Sequence, residues 1–411
     1  MNRLFTDTDI PQSMEQGPLG SVIPAYAALL SQQGYTQQSA HQQLRFLADM
    51  SQWLEQQGIQ LSELTEPILH RYMQSRGQRF RPRRDDASIL RRLLNLLHTQ
   101  GLLPQQAPET PDNPHERIEH DFDRYLSEER GLSMATRINY RCFIRRFLAD
   151  QFGDEPVRFT DLNAKDVIRF IQEQAPHLGQ KRAGLMVTAL RSFLRYLRHR
   201  GDISTDLAAC VPAIANWQFS TLPKFLQPGQ VQLVLEQCNR QTPQGRRDYA
   251  ILLLLARLGL RAGEIVSLTL DDIHWQAGEI TIHGKGDRSG RLPLQPDVGE
   301  AIADYLSKDR PPCSTRQVFI RMKAPRRGFA NSEAISTIVA RTLKKAHIDS
   351  PHTGAHLFRH TLATQMLNHG SSLAEIAILL RHRSLNTTIL YAKVDLPALR
   401  TLAEPWPGGD L

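Results

Sequence analysis

The sequence predicts a mainly α-helical protein with one small antiparallel sheet: two N-terminal helical bundles followed by an α+β domain. Three observations lead there. Two stretches of the first half repeat one another at an offset of roughly 97 to 100 residues, each with apolar positions recurring at three and four. Alternating apolar runs, the mark of strands, stand out at one place only, around residues 279–294. And 411 residues are too many for one ordinary core.

Taken in order, the first copy opens on Tyr26, Leu30 and the turn Gln33-Gly34-Tyr35-Thr36. The second answers with Tyr125, Leu126 and Arg130-Gly131-Leu132-Ser133. Leu61-Ser62-Glu63-Leu64-Thr65 is matched by Phe159-Thr160-Asp161-Leu162-Asn163, with Ser62 and Thr160 as expected helix caps. Leu90, Leu93 and Leu97 before Gly101 are matched by Leu190, Phe193 and Leu197 before Gly201, and the two glycines are expected helix stops. Each copy is therefore expected to be a bundle of about four helices. The expected organisation is a first helical domain at 1–105, a Pro-rich linker at 106–116, a second helical domain at 117–205, a linker at 206–224 and a third domain at 225–411. In the third, Gln227–Gln237 and Arg246–Leu258 read as helices. Glu279–His283 and Arg291–Leu294 read as a hairpin about Gly284-Lys285-Gly286-Asp287-Arg288-Ser289-Gly290, and helices resume from Val298.

Composition narrows the function classes. Hydrophobic content of 41% and charged content of 22% fit a soluble globular protein, and no apolar run approaches the roughly 20 residues of a membrane span. The N-terminus lacks the continuous apolar stretch of a secretory signal. Cys142, Cys210, Cys238 and Cys313 are scattered, which points to reduced thiols in a cytoplasmic protein rather than disulfides or a zinc site. A net charge of +8 favours a polyanionic partner. Two clusters sharpen this: Arg76, Arg79, Arg81, Arg83, Arg84, Arg91 and Arg92 in the first copy, and Arg316, Arg321, Lys323, Arg326, Arg327, Arg341, Lys344 and Lys345 in the third domain.

Six residues supply a chemistry. They are Arg261 in Gly-Leu-Arg-Ala-Gly-Glu, Lys285 in His-Gly-Lys-Gly, His356 with Arg359 in His-Leu-Phe-Arg-His, His382, and Tyr391. Cations to hold a phosphate, proton carriers for a leaving group and a nucleophile are what metal-free phosphodiester cleavage requires. Singly, each has a bland reading: Arg261 a helix-end arginine paired with Glu264, Lys285 a solvated turn lysine, Tyr391 a core tyrosine. His356 and Arg359, three apart, share a helix face, and His360 is expected on a different side as a packed, hydrogen-bonded histidine. No Gly-x-x-x-x-Gly-Lys-Ser/Thr loop and no carboxylate cluster suited to Mg²⁺ occurs, so no cofactor and no metal are expected.

Residues 118–400 resemble the tyrosine recombinase, or phage integrase, family, which includes Xer-like and mobile-element enzymes. The family pattern is His-x-x-Arg-His, then Leu-Gly-His, then Thr-Thr-x-x-Tyr with a nine-residue step from histidine to tyrosine. This chain has His356-Leu357-Phe358-Arg359-His360, Leu380-Arg381-His382 and Thr387-Thr388-Ile389-Leu390-Tyr391. The resemblance implies a DNA breaking-rejoining catalytic domain in which Tyr391 attacks the scissile phosphorus, Arg261 and Arg359 hold the phosphate, Lys285 protonates the leaving 5′ oxygen, and His356 and His382 assist. It further implies that 117–205 is the SAM-like core-binding domain, closing on double-stranded DNA opposite the catalytic domain. Leu396–Leu402 resembles a C-terminal helix that docks on a neighbouring subunit in a tetrameric synapse. The first domain is an addition to the minimal plan, extending the DNA footprint or mediating subunit contacts. One departure stands out: Arg381 replaces the usual glycine. If φ is positive there, it adds strain of roughly 1 kcal/mol; alternatively, its side chain contacts phosphate. A dimer resolvase, a type IB topoisomerase or a silent DNA-binding accessory protein are the rival readings.

Overall fold

The computed structural model describes residues 16–83, 85–103, 113–153, 155–214, 223–284, 289–382, 384 and 386–394. The expected linkers, the hairpin tip 285–288 and the segment Leu396–Leu402 lie wholly or partly outside them. Among the described residues no helix is long and apolar enough to cross a membrane.

The first bundle holds α1 (Ile23–Gln32), α2 (Gln37–Gln56), α3 (Glu66–Arg79) and α4 (Asp86–Thr99). The Thr36 hydroxyl caps α2 by accepting from the Ser39 N–H. Leu30, Leu44, Leu47, Met50, Leu93 and Leu97 close a core that excludes water. Part of the first arginine cluster serves this bundle: Arg76 pairs with Asp49 at 2.6 Å, and Arg92 donates to Gln43 at 2.6 Å. Arg79, Arg81, Arg83 and Arg91 stay exposed.

The second bundle holds α5 (Pro114–Glu128), α6 (Met134–Phe152), α7 (Ala164–Gln174) and α8 (Gln180–Arg200). Its core is aromatic. Phe193 meets Phe122 edge-on at 5.1 Å between centroids and also touches Phe147 and Phe159. The two copies share punctuation, with Gly34 and Gly131 at positive φ after the first helix and Gly101 and Gly201 at positive φ after the last. The expected caps are displaced. Ser62 and Thr160 fall inside single 3₁₀ turns, Leu61–Glu63 and Phe159–Asp161, and the residues that precede α3 and α7 are Thr65 and Asn163. Asn163 accepts from the Lys165 and Asp166 N–H groups. The serine and threonine sit one short turn too early, and a 3₁₀ turn before a helix is not distinguishable from the helix itself by apolar spacing.

The remaining elements are α9 (Gln230–Glu236), α10 (Pro243–Leu258), α11 (Ala262–Ser267), β1 (Ile273–His274), β2 (Glu279–His283), β3 (Ser289–Pro293), α12 (Pro296–Lys308), α13 (Glu333–Lys345), α14 (His356–Asn368), α15 (Leu373–Leu379) and α16 (Asn386–Ile389). The strands form one antiparallel sheet in the order β1-β2-β3, with Ile280 opposite Leu292 and His283 opposite Ser289. Helix α10 is apolar all round from Ile251 to Leu255, so it is buried, and it packs against α12 and α14. By contact, the first bundle groups with this domain, and residues 105–220 form a separate unit. Within the former, the Arg326 N–H donates to the Gln33 carbonyl at 2.8 Å.

Candidate active site

The C-terminal end of α10 organises the site. Gly259 terminates the helix at φ +56, a conformation that favours glycine. A Cβ there would lie 2.7 Å from Leu380 Cδ2 and 3.0 Å from Leu362 Cδ2, so glycine also lets α14 and the turn after α15 come close. Two residues on, Arg261 caps α11. Its N–H donates to Glu264 Oε2 at 2.8 Å and its Nη1 to Glu264 Oε1 at 2.7 Å. Arg359, on α14 and 4% exposed, donates through Nη1 to the Gly259 carbonyl at 2.6 Å and through Nη2 to the Leu380 carbonyl. Arg261 Nη2 reaches the next carbonyl along, that of Arg381, at 3.3 Å. Adjacent peptide units thus anchor both guanidinium groups. Burial, and then the nearby Arg261 charge, push the Arg359 guanidinium down to about 10, which still leaves it a cation at neutral pH.

The same turn leads into His382, and α16 follows. Tyr391, just beyond α16, is 2% exposed, and its hydroxyl is hydrogen-bonded to His360 Nδ1 at 2.9 Å. The His382 ring lies parallel to the phenol, 6.3 Å between centroids, and its Nδ1 is bonded to Thr388 Oγ1 at 2.6 Å. Burial raises the Tyr391 hydroxyl to about 12, opposed by the positive charge of Arg359. Burial, with Arg359 and Arg261 behind it, lowers His382 to about 4, so its imidazole is neutral at physiological pH.

Two cations, a neutral imidazole and a hydrogen-bonded phenol in one cluster suit phosphoryl transfer to an oxygen nucleophile. Residues 224–396 match the family model described as "Phage integrase family", and residues 120–201 match "Phage integrase, N-terminal SAM-like domain". A Sinorhizobium fredii protein provisionally named integrase/recombinase y4rA is 46% identical over 409 residues, 99% of each chain. Tyrosine recombinase XerD of Listeria monocytogenes is 31% identical over 281 residues, 67% of this chain and 93% of XerD. This chain belongs to the phage integrase family. Such tyrosine recombinases are enzymes that cleave and rejoin DNA, and site-specific recombination is the activity of this one. The solved structure of XerH recombinase on its difH substrate has the same fold, with TM-score 0.56 at 17% identity over 78% of this chain and 88% of XerH.

In this recombinase the structure brings Arg261, Arg359, His382 and Tyr391 together. His356 stands exposed at the first position of α14, its ring 6.4 Å from that of His360. Lys285 lies outside the described residues; the strands on either side of it end at His283 and Ser289. The expectation for His360 holds in part. It is hydrogen-bonded as expected, but it stands one turn along from His356 rather than apart from the site, with the Tyr391 hydroxyl as its partner. The signal was present, because residues four apart on a helix are neighbours just as residues three apart are. Arg381 does take a positive φ, +52, and its side chain goes to Glu264 at 2.8 Å. Glu264 and Thr388, both buried, were missed as site residues. Glu264 occupies the third position of α11, where a carboxylate folds back on the cap.

Proposed function

We propose that this recombinase cuts and reseals double-stranded DNA through a covalent 3′-phosphotyrosyl link at Tyr391, in the service of integration or transposition of a mobile element. The observation that carries this reading is the Tyr391 hydroxyl, held at 2.9 Å by His360 and stacked on His382, which follows the two carbonyls that anchor Arg359 and Arg261. A phenol is a weak nucleophile at neutral pH, and one raised to about 12 is weaker still. Its proton therefore has to leave as the bond to phosphorus forms, and His360 Nδ1 is placed to take it. Arg261 and Arg359 hold the non-bridging oxygens and offset the charge that gathers there. Lys285 gives a proton to the departing 5′ oxygen, and His356 steers the phosphate. The products are a 3′-phosphotyrosine and a free 5′ hydroxyl. A 5′ hydroxyl from another strand reverses the attack and restores the phenol, so no external energy source is consumed.

Tyr391 is 2% exposed, so a duplex has to uncover it before attack. Solved structures of lambda integrase include a tetramer bound to a Holliday junction, and the fold resembles it at TM-score 0.50. By the same plan four copies of this chain, or two pairs of partners, act on two DNA sites. Work on a chromosome or element places the protein in the cytoplasm. A suicide substrate, nicked beside the scissile phosphate and drawn from DNA flanking its own gene, tests the reading. The wild-type protein should be trapped covalently and Tyr391→Phe should not; equal trapping of both would refute it.

A further inference from the structure

Glu264 carries a negative charge into a site whose task is to bind an anion. It is 6% exposed and is held from three directions: by the Arg261 N–H and Nη1, and by Arg381 Nη2 at 2.8 Å. These donors keep its carboxyl below the ordinary range against the opposing effect of burial. It is therefore ionised at neutral pH. A carboxylate shared by one arginine alone would cancel most of that arginine's attraction for a phosphate.

Arg381 changes the balance. It sits at φ +52, a backbone conformation disfavoured for any residue with a Cβ. The turn nonetheless keeps this residue, and its side chain is folded inward rather than released to water. Its stem runs beside β3, where a Cβ on Gly290 would lie 3.3 Å from Arg381 Cδ. A longer residue at 290 would crowd that path. The cluster then holds three guanidinium charges against one carboxylate: Arg261 and Arg381 bonded to Glu264, and Arg359 on the Gly259 and Leu380 carbonyls, while the neutral His382 adds no charge. With Arg381 absent, two guanidinium charges would stand against the same carboxylate. A phosphodiester carries one negative charge and gains more as the fifth oxygen bonds, so the surplus of cations is what cleavage draws on.

We propose that Arg381 is a positioning residue for strand cleavage: it neutralises Glu264, so that Arg261 keeps its positive charge for the scissile phosphate. This rests on the reading of Tyr391 given above. The family pattern has glycine at this place, so the device is an addition to that pattern.

The test is a double-mutant cycle on the full chain, read as the rate of covalent trapping on the nicked substrate beside DNA affinity. Arg381→Met keeps the stem and the strained backbone but removes the charge. Glu264→Gln keeps an acceptor for the Arg261 N–H but removes the opposing charge. Arg381→Met should cut at least about tenfold more slowly, with affinity changed no more than about threefold. Adding Glu264→Gln to Arg381→Met should return the rate to within about threefold of wild type, and Arg381→Lys should stay near wild type. A merely structural arginine would give a double variant as slow as Arg381→Met or slower, which overturns the proposal. So would an Arg381→Met protein that cuts at the wild-type rate. Failure of the underlying reading is separable, because there the wild-type protein itself would form no link through Tyr391.

Discussion

Tyr391 and His360 share a hydrogen bond of 2.9 Å between the phenolic oxygen and Nδ1, inside a pocket that leaves the tyrosine 2% exposed. A phenol held this way is restrained, and as the proposed nucleophile it has a hydrogen-bond partner at hand. The contact keeps the hydroxyl from water, and it supplies an acceptor when the proton must go.

If His360 accepts that proton, His360→Ala should slow formation of the covalent DNA complex by about 10²-fold, within the range found for general bases, while DNA affinity stays within about threefold. Single-turnover trapping kinetics, with binding measured separately on an intact duplex, check this. Cleavage at the wild-type rate would leave His360 with only a packing role.

Arg359 does two jobs, and Lys cannot do both. Its Nη1 and Nη2 donate to the carbonyls of Gly259 and Leu380, and in the proposed mechanism its charge also holds the phosphate. Arg359→Lys should therefore lose at least about 10²-fold in cleavage and also destabilise the domain by about 1–3 kcal/mol, because a buried carbonyl loses its donor. Thermal unfolding alongside trapping assays separates the two losses.

His382 gives a pH signature. Its folded-state value of about 4 lies below the ordinary 6.5, so the unfolded chain takes up the proton first. Its contribution to stability is complete above about pH 6.5 and declines as the pH falls toward about 4. The melting temperature of the wild-type protein should thus fall more steeply across that window than that of His382→Asn. Parallel melting curves through the window would contradict the assignment.

The second bundle depends on its aromatic centre. Phe193 is fully buried and touches Phe122, Phe147 and Phe159, so Phe193→Ala should cost about 3–5 kcal/mol. Residues 113–214 should become the first region cut in limited proteolysis. Wild-type resistance there would mean that the core refills the space.

Much of this was legible because the chain's periodicities are local. The duplicated bundles show in the spacing of Leu90, Leu93 and Leu97 and of Leu190, Phe193 and Leu197, and the hairpin in its alternation. The order from Arg261 to Tyr391 points to a candidate site, and four of its six residues, Arg261, Arg359, His382 and Tyr391, lie together in the structure. What sequence could not give is which neighbours a turn brings in. The carbonyls of Leu380 and Arg381 anchor Arg359 and Arg261 across 21 and 120 positions of chain, and a backbone oxygen carries no residue type to read. Glu264 reads as an ordinary first-turn carboxylate until Arg381 is seen to reach it over 117 positions. His360 is different, since its four-residue spacing from His356 is visible in the sequence, whereas the partner of its hydrogen bond, Tyr391, lies 31 positions away.

The most direct measurement is the mass of the peptide left attached to DNA after trapping. Trypsin should release residues 384–393, cut after Arg383 and Lys393, with Tyr391 as the lone phenol among the hydroxyls of Ser384, Thr387 and Thr388. Fragmentation is predicted to place the residual nucleotide on Tyr391. A nucleotide found on one of those serine or threonine oxygens, or on any other peptide, would contradict the account.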